Sequence, residues 1–165
     1  MTVIIEDGSV VANANSYTTV VELQAFADLR GDTLPTDNAE LEALLINSTI
    51  YLESFRTKYQ GSMISAEQVL QWPRADVVIN GFPNASDVIP SQLKSAQMQA
   101  AIESLTTDLF GAVTTGASIK KEKVDVILVE YFEGSGTSTT TFPEVEIYLK
   151  PLLSQTSPFL TNPIR

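Results

Sequence analysis

Along three stretches of the chain, apolar residues return at intervals of three and four, the spacing that gathers them on one face of an α-helix. In the first, Val20, Leu23, Phe26 and Ala27 form the stripe. Thr19-Val20-Val21-Glu22 has the capping-box spacing, in which hydroxyl and carboxylate satisfy orphan amides reciprocally, and Gly31 suits a left-handed C-cap. The second and longest stretch repeats that box at Asp37-Asn38-Ala39-Glu40. It carries Leu41, Leu44, Leu45, Ser48, Leu52 and Phe55 on one face to about Thr57. The third begins at Ile89-Pro90, since proline suits the first helical position, and runs to about Phe110. Leu93, Ala96, Gln97, Ala100, Ala101, Ser104 and Leu105 lie close on one side of it, small enough for a neighbouring helix to approach. Phe142-Pro143-Glu144-Val145-Glu146 opens a last helix to about Leu153, with its acids at the positive end of the dipole.

Between these lie shorter signals. Val3-Ile4-Ile5 before Asp7-Gly8 reads as a short strand and a turn, and Ser65-Ala66-Glu67-Gln68 as a capped helical turn. Asp76 to Val88 reads as a loop punctuated by Asn80-Gly81 and Phe82-Pro83. Val124 to Tyr131 is rich in β-branched residues and predicts a strand paired with Ala117 to Lys121, a hairpin over about 117–132. Gly134 to Thr141 has the composition of a flexible linker. The segment from Ser154 to Arg165 contains Pro158 and Pro163 and cannot be helical throughout. The expected fold is mainly α: a small helical bundle over residues 1–153 with a β-hairpin insertion, followed by an extended C-terminal arm over 154–165.

Composition narrows what such a domain can do. A length of 165 residues fits one core without staples. There is no Cys and no His. Thiolate nucleophiles, disulfides, zinc ribbons and His-based triads are therefore excluded from this chain. The formal charge is −10, and the ten basic residues are scattered; only Lys120-Lys121-Glu122-Lys123 is locally basic. Tight DNA binding by one subunit is not expected, because phosphate neutralisation dominates such affinity. An acidic surface suits solubility, or a passage along which DNA slides without sticking. Met1 to Glu6 has none of the marks of a signal peptide, and no apolar run approaches the ~20 residues that span a bilayer, so no membrane partner is expected.

The remaining motifs have plain readings. Arg30-Gly31-Asp32 is a helix end with its C-cap, and the sequons at Asn47 and Asn84 match by chance. The neighbouring acids Glu40/Glu42, Glu130/Glu133 and Glu144/Glu146 serve capping and solubility; a glycosidase needs carboxylates facing across a cleft. No calcium-loop or phosphate-loop pattern occurs. We therefore expect no catalytic residue, no cofactor and no metal: the protein is not an enzyme. Two features point to protein contacts. Trp72-Pro73-Arg74 reads as a core plug, or as an intersubunit anchor with Trp72 and Arg74 as hot-spot residues. Pro158, Phe159, Leu160, Ile164 and Arg165 form an apolar, proline-stiffened end that docks either on another chain or on its own domain.

Four pieces carry a family resemblance. They are Val3 to Gly8 with Val11 to Tyr17; Leu70-Gln71-Trp72-Pro73-Arg74; Val88-Ile89-Pro90; and Lys120 to Val124 with Val129-Glu130-Tyr131. In this order they resemble a tailed-phage family labelled DnaT-like single-stranded-DNA-binding, whose members resemble head-completion adaptors. The resemblance implies a structural virion protein of the phage neck, a homo-oligomeric and dodecameric ring joining the portal protein to a tail-side neck protein. It would assemble in the host cytoplasm and pass double-stranded DNA without gripping it. The portal would be gripped by the arm, through Pro158, Phe159, Leu160, Ile164 and Arg165. The family label implies the alternative, a single-stranded-DNA-binding replication accessory, which needs a positive groove with aromatic stacking platforms.

Overall fold

The structure, a computed structural model, describes residues 2–113, 122–124, 127–129, 138–139 and 142–154. Helix α1 spans Val20–Arg30, and the expected box closes it: Thr19 Oγ1 accepts from Glu22 N, and Glu22 Oε2 accepts from Thr19 N at 2.7 Å. At its other end Gly31 takes φ 78°, and the amides of Gly31 and Asp32 turn back onto the last carbonyls. The Arg-Gly-Asp tripeptide is thus a helix terminus, with Arg30 paired to Asp32 and Glu144. Helix α2 spans Asn38–Glu53, capped by Asp37 through Ala39 N, and irregular turns carry the chain on to Lys58. Helix α3 spans Ser91–Glu103. Helix α4 spans Pro143–Leu149 and passes into a 3₁₀ turn over Lys150–Leu152.

Helix α3 is the centre of the domain. One side of it, through Leu93, Ala96 and Ala100, joins a core with Tyr17, Leu52, Trp72, Val145, Leu149 and Leu152. The other side, through Met98 and Ala101, packs on Leu23, Leu41 and Leu45. The small residues of α3 let both layers close on it, as the spacing predicts.

The expectation of a mainly α fold is not met. Between the helices the chain forms short antiparallel ladders, and the architecture mixes α and β. Strand β1 (Ser62–Met63) pairs with β2 (Arg74–Ala75), and β3 (Val77–Ile79) pairs with β4 (Phe82–Asn84). Strand β5 (Ala112–Val113) pairs with β8 (Ser138–Thr139), and β6 (Glu122–Val124) with β7 (Ile127–Val129). The reason is visible in the backbone of the stretch expected to be a loop. Asn80 (φ 52°) and Gly81 (φ 86°) are both left-handed, the condition for a two-residue hairpin turn whose twist matches its strands. Asp76 (φ 60°) turns the chain between β2 and β3. Alternation then holds, with Val77 in the core and Val78 outside.

Other boundaries shift as well. Ser65–Gln68 forms turns without a helix, and Ile5 makes only an isolated bridge to Ser16. Helix α3 ends at Glu103 and continues to Phe110 as turns, not as helix. The β6–β7 hairpin is tighter than expected, Val124 lying opposite Ile127. The proposed partner strand, Ala117 to Lys121, lies outside the described residues, as does the arm beyond Ser154.

Candidate functional site

The two segments that carry much of the family resemblance meet inside the domain. Tyr17 is fully buried. Its backbone N–H donates to Gln97 Oε1 at 2.9 Å, and its hydroxyl donates to Glu53 Oε1 at 2.5 Å. Trp72 N donates to the same hydroxyl at 3.3 Å, and Gln71 N to Glu53 Oε2 at 2.9 Å. One tyrosine thereby joins the N-terminal loop, the end of α2, the middle of α3 and the Trp72 segment. Gln97 spends its amide nitrogen on Ser16 Oγ, Leu45 O and Thr49 Oγ1, at 2.7, 3.0 and 2.9 Å.

Electrostatics follow from that burial. Desolvation raises the Glu53 carboxyl above its ordinary range, against the lowering effect of the bonds from Tyr17 and Gln71. Desolvation also pushes the Tyr17 and Tyr59 hydroxyls up, with the Glu53 charge adding to both. A buried Tyr–Glu pair could in principle hold a catalytic proton. Here every polar atom of the pair is used to bind its own backbone and neighbours, which is a structural role.

Trp72 is fully buried, edge-to-face with Tyr59 at 5.6 Å. Arg74 does not project either, being 7% exposed. Its Nε donates to Gln60 O at 2.7 Å and its Nη2 to Gly61 O at 2.8 Å. The guanidinium thus ties the turns after α2 to β2, and in this chain Trp72 and Arg74 serve the core. Pro158, Phe159, Leu160, Ile164 and Arg165 lie outside the described residues.

A third buried group was not expected from the sequence. Glu6 is fully buried, its Oε1 accepting from Gly8 N and Val10 N and its Oε2 from Val11 N, at 2.9, 3.0 and 2.9 Å. It organises the N-terminal loop as a carboxylate inside a ring of amides.

Function must then come from the outside. Among the described basic side chains, Arg74 is buried, Arg30 is ion-paired to Asp32 and Glu144, and Lys94 to Glu22. Arg56, Lys58 and Lys150 remain without an ion pair among the described residues. Lys58 and Lys150 flank a groove of about 550 Å³ with Phe55, Glu146, Leu149, Leu153 and Ser154. A second cavity of about 560 Å³ lies between Gln60, Asn80 and Pro151, with Asp76 the one carboxylate among its described lining residues. No group of three or more acidic side chains among the described residues is placed to hold a metal ion. No helix among them is long and apolar enough to cross a membrane.

Large apolar side chains also stand in solvent. Val21 and Leu29 are 72% and 89% exposed, eight residues apart on one side of α1. Phe82, beside the hairpin turn, is 76% exposed.

A family model described as "Putative DnaT-like ssDNA binding protein" matches residues 1–165. No curated protein and no solved structure matches the chain.

Proposed function

The chain belongs to this DnaT-like family; from the resemblance drawn in its sequence and from its charge, we propose that it acts by binding alone, as a ring-forming connector between portal and tail in a phage neck. The observation that carries this reading is the distribution of charge. A chain of net charge −10 leaves only Arg56, Lys58 and Lys150 without an ion pair or burial among its described basic side chains. A ring of such subunits presents acid to passing DNA and repels it from the wall. Exposed Val21, Leu29 and Phe82 supply apolar surface of the kind that subunits bury against one another.

The family description supports a second reading, single-stranded-DNA binding in replication. Its cationic groups would be Lys58 and Lys150 beside Phe55, together with the lysines around β6. That reading requires an affinity that falls steeply with salt.

One pair of measurements separates them. Electron microscopy of the protein co-produced with its phage's portal is expected to show rings seated on the portal. A labelled oligothymidine titration at 50 and 200 mM salt is expected to show weak binding at both. Particles that ignore the portal, together with micromolar, salt-steep DNA affinity, would replace the connector by the replication reading.

A further inference from the structure

Helix α1 is apolar on two sides. Leu23 and Ala27 are buried in the core. Val21, Ala25 and Leu29 follow one another at intervals of four and form a second row on the solvent side. Val21 is 72% exposed and Leu29 89%, and Ala25 between them is exposed as well. A helix that only covered its own core would carry polar side chains along that row. Rows of this spacing are the ridges that pack into grooves on other surfaces, and the small Ala25 lets the ridge come close. Asp28 stands next to Leu29, exposed and without an ion pair among the described residues.

The groove flanked by Lys58 and Lys150 has the opposite charge. Its accessible apolar surface comes from Phe55 and Leu153, both half-buried, since Leu149 is already taken up in the core. The Lys58 ammonium stands 5.3 Å from the Phe55 centroid, and Tyr51 holds that ring edge-to-face at 5.4 Å. Two ammonium groups against the carboxylate of Glu146 leave the described lining positive. Arg56, exposed on the same turns, adds a further cation, while Glu53 is spent on Tyr17 and Gln71.

Charge also identifies what the groove takes. With 20 acids against 10 bases, two copies of this chain repel as they approach. A contact between copies is favoured where uncommitted cations of one meet a carboxylate of the other. Among the described basic side chains those cations are Arg56, Lys58 and Lys150. Ridge and groove are therefore complementary twice over: an apolar row beside a carboxylate, and an apolar floor between two ammonium groups. They share no residue, so one copy can offer its ridge to one neighbour and its groove to another. Such a head-to-tail contact propagates into a ring or a filament, where a two-fold contact would stop at a dimer.

We propose that the α1 ridge of one copy docks in the groove between Lys58 and Lys150 of the next, with Leu29 against Phe55 and Leu153 and Asp28 between the two lysines. This assigns the subunit contact of the ring proposed above, and it rests on that reading.

Sedimentation velocity on the full chain tests it by exchanging the charges. Asp28→Lys makes the ridge cationic, and Lys58→Glu with Lys150→Glu makes the groove acidic; all three side chains are exposed. Wild type is expected to grow past a dimer as its concentration rises to about 100 μM. Each variant alone is expected to associate at least about tenfold more weakly. Mixed in equal amounts, the two variants are expected to grow past a dimer again, because each ridge then meets a groove of opposite charge. Wild type that stays monomeric or stops at a dimer would overturn the proposal. So would a variant that assembles like wild type, or a mixture that recovers nothing. Microscopy with the portal keeps the two readings apart. Head-to-tail oligomers that ignore the portal would remove the connector and leave this contact standing. Portal-bound rings of Asp28→Lys alone would keep the connector and overturn the contact.

Discussion

Gln97 is fully buried on the central helix, and it can be removed with almost no change of volume by Gln97→Leu. The buried N–H of Tyr17 then loses its acceptor at 2.9 Å. Leaving a buried donor unpaired costs about 1–3 kcal/mol. The amide nitrogen's three bonds, to Ser16, Leu45 and Thr49, are lost with it. The damage there is smaller, because Ser16 Oγ still donates to Thr18 O and Thr49 Oγ1 to Leu45 O. Burial of a leucine side chain offsets part of the loss, so the net destabilisation is about 2 kcal/mol. Urea unfolding followed by Trp72 fluorescence and far-ultraviolet circular dichroism reads it out. With a slope near 2 kcal/mol/M, the midpoint moves down by about 1 M at unchanged slope. Gln97→Glu keeps an acceptor for Tyr17 but aims a second oxygen at Leu45 O and buries a charge. It is expected to be worse than Gln97→Leu at pH 7 and to recover as pH falls, because a buried carboxylate is tolerated best when protonated. A loss below about 1 kcal/mol for Gln97→Leu would refute the view that this amide holds the N-terminal loop to α2 and α3.

Further outcomes follow from the same contacts. Burial raises the Glu53 carboxyl above its unfolded value, so its protonation favours the folded state. The contribution is present in acid and is lost as pH rises through the folded value. Wild-type stability relative to Glu53→Gln should therefore decline between pH 4 and pH 7, and urea midpoints showing the reverse would reject the assignment. In Gly61→Ala the new Cβ meets Ala75 O at 1.9 Å at a φ of 63° and should cost several kcal/mol, since a backbone oxygen cannot swing aside. Gly81→Ala, at φ 86° with nothing within 4 Å, should cost only about 1–2 kcal/mol. Thermal melts of the two glycine variants check the contrast. Thr19→Ala opens the capping box of α1 and should lower stability by about 1 kcal/mol in the same melts.

What the sequence made legible was local. Thr19, Glu22 and Gly31 bound α1 through chemistry confined to one or two turns, and the spacing of Leu41, Leu45 and Leu52 marked the buried face of α2. The β3–β4 stretch reads as a loop for a local reason too. Asn80-Gly81 between Val77-Val78-Ile79 and Phe82 is a hairpin signal, but Pro83 counts against a strand interior. Pro83 lies opposite Val78 in a two-stranded ladder, where an edge position tolerates a missing donor. The polar interior was beyond such reading. Nothing in the spacing tells a glutamine on the α3 face that it will meet Tyr17, eighty residues away. Glu6 likewise looks like any surface acid until three amides close around it.

That division bears on what family membership means for this chain. The N-terminal loop and the Trp72 segment converge on Tyr17, Glu53 and Gln97, all groups that hold the domain together. Such groups specify a fold and leave the ligand open, because activity resides in groups that face outward. A single strand needs several exposed aromatics interleaved with cations. Trp72, Tyr17, Tyr59 and Phe142 are buried, Phe82 and Phe110 stand exposed, and Arg30 and Lys94 already hold carboxylates. Phe55, Lys58 and Lys150 are the described groups that come nearest to such a platform. Lys58→Glu combined with Lys150→Glu should then abolish single-strand binding if the groove is a DNA site, and leave an already weak affinity unchanged if it is not.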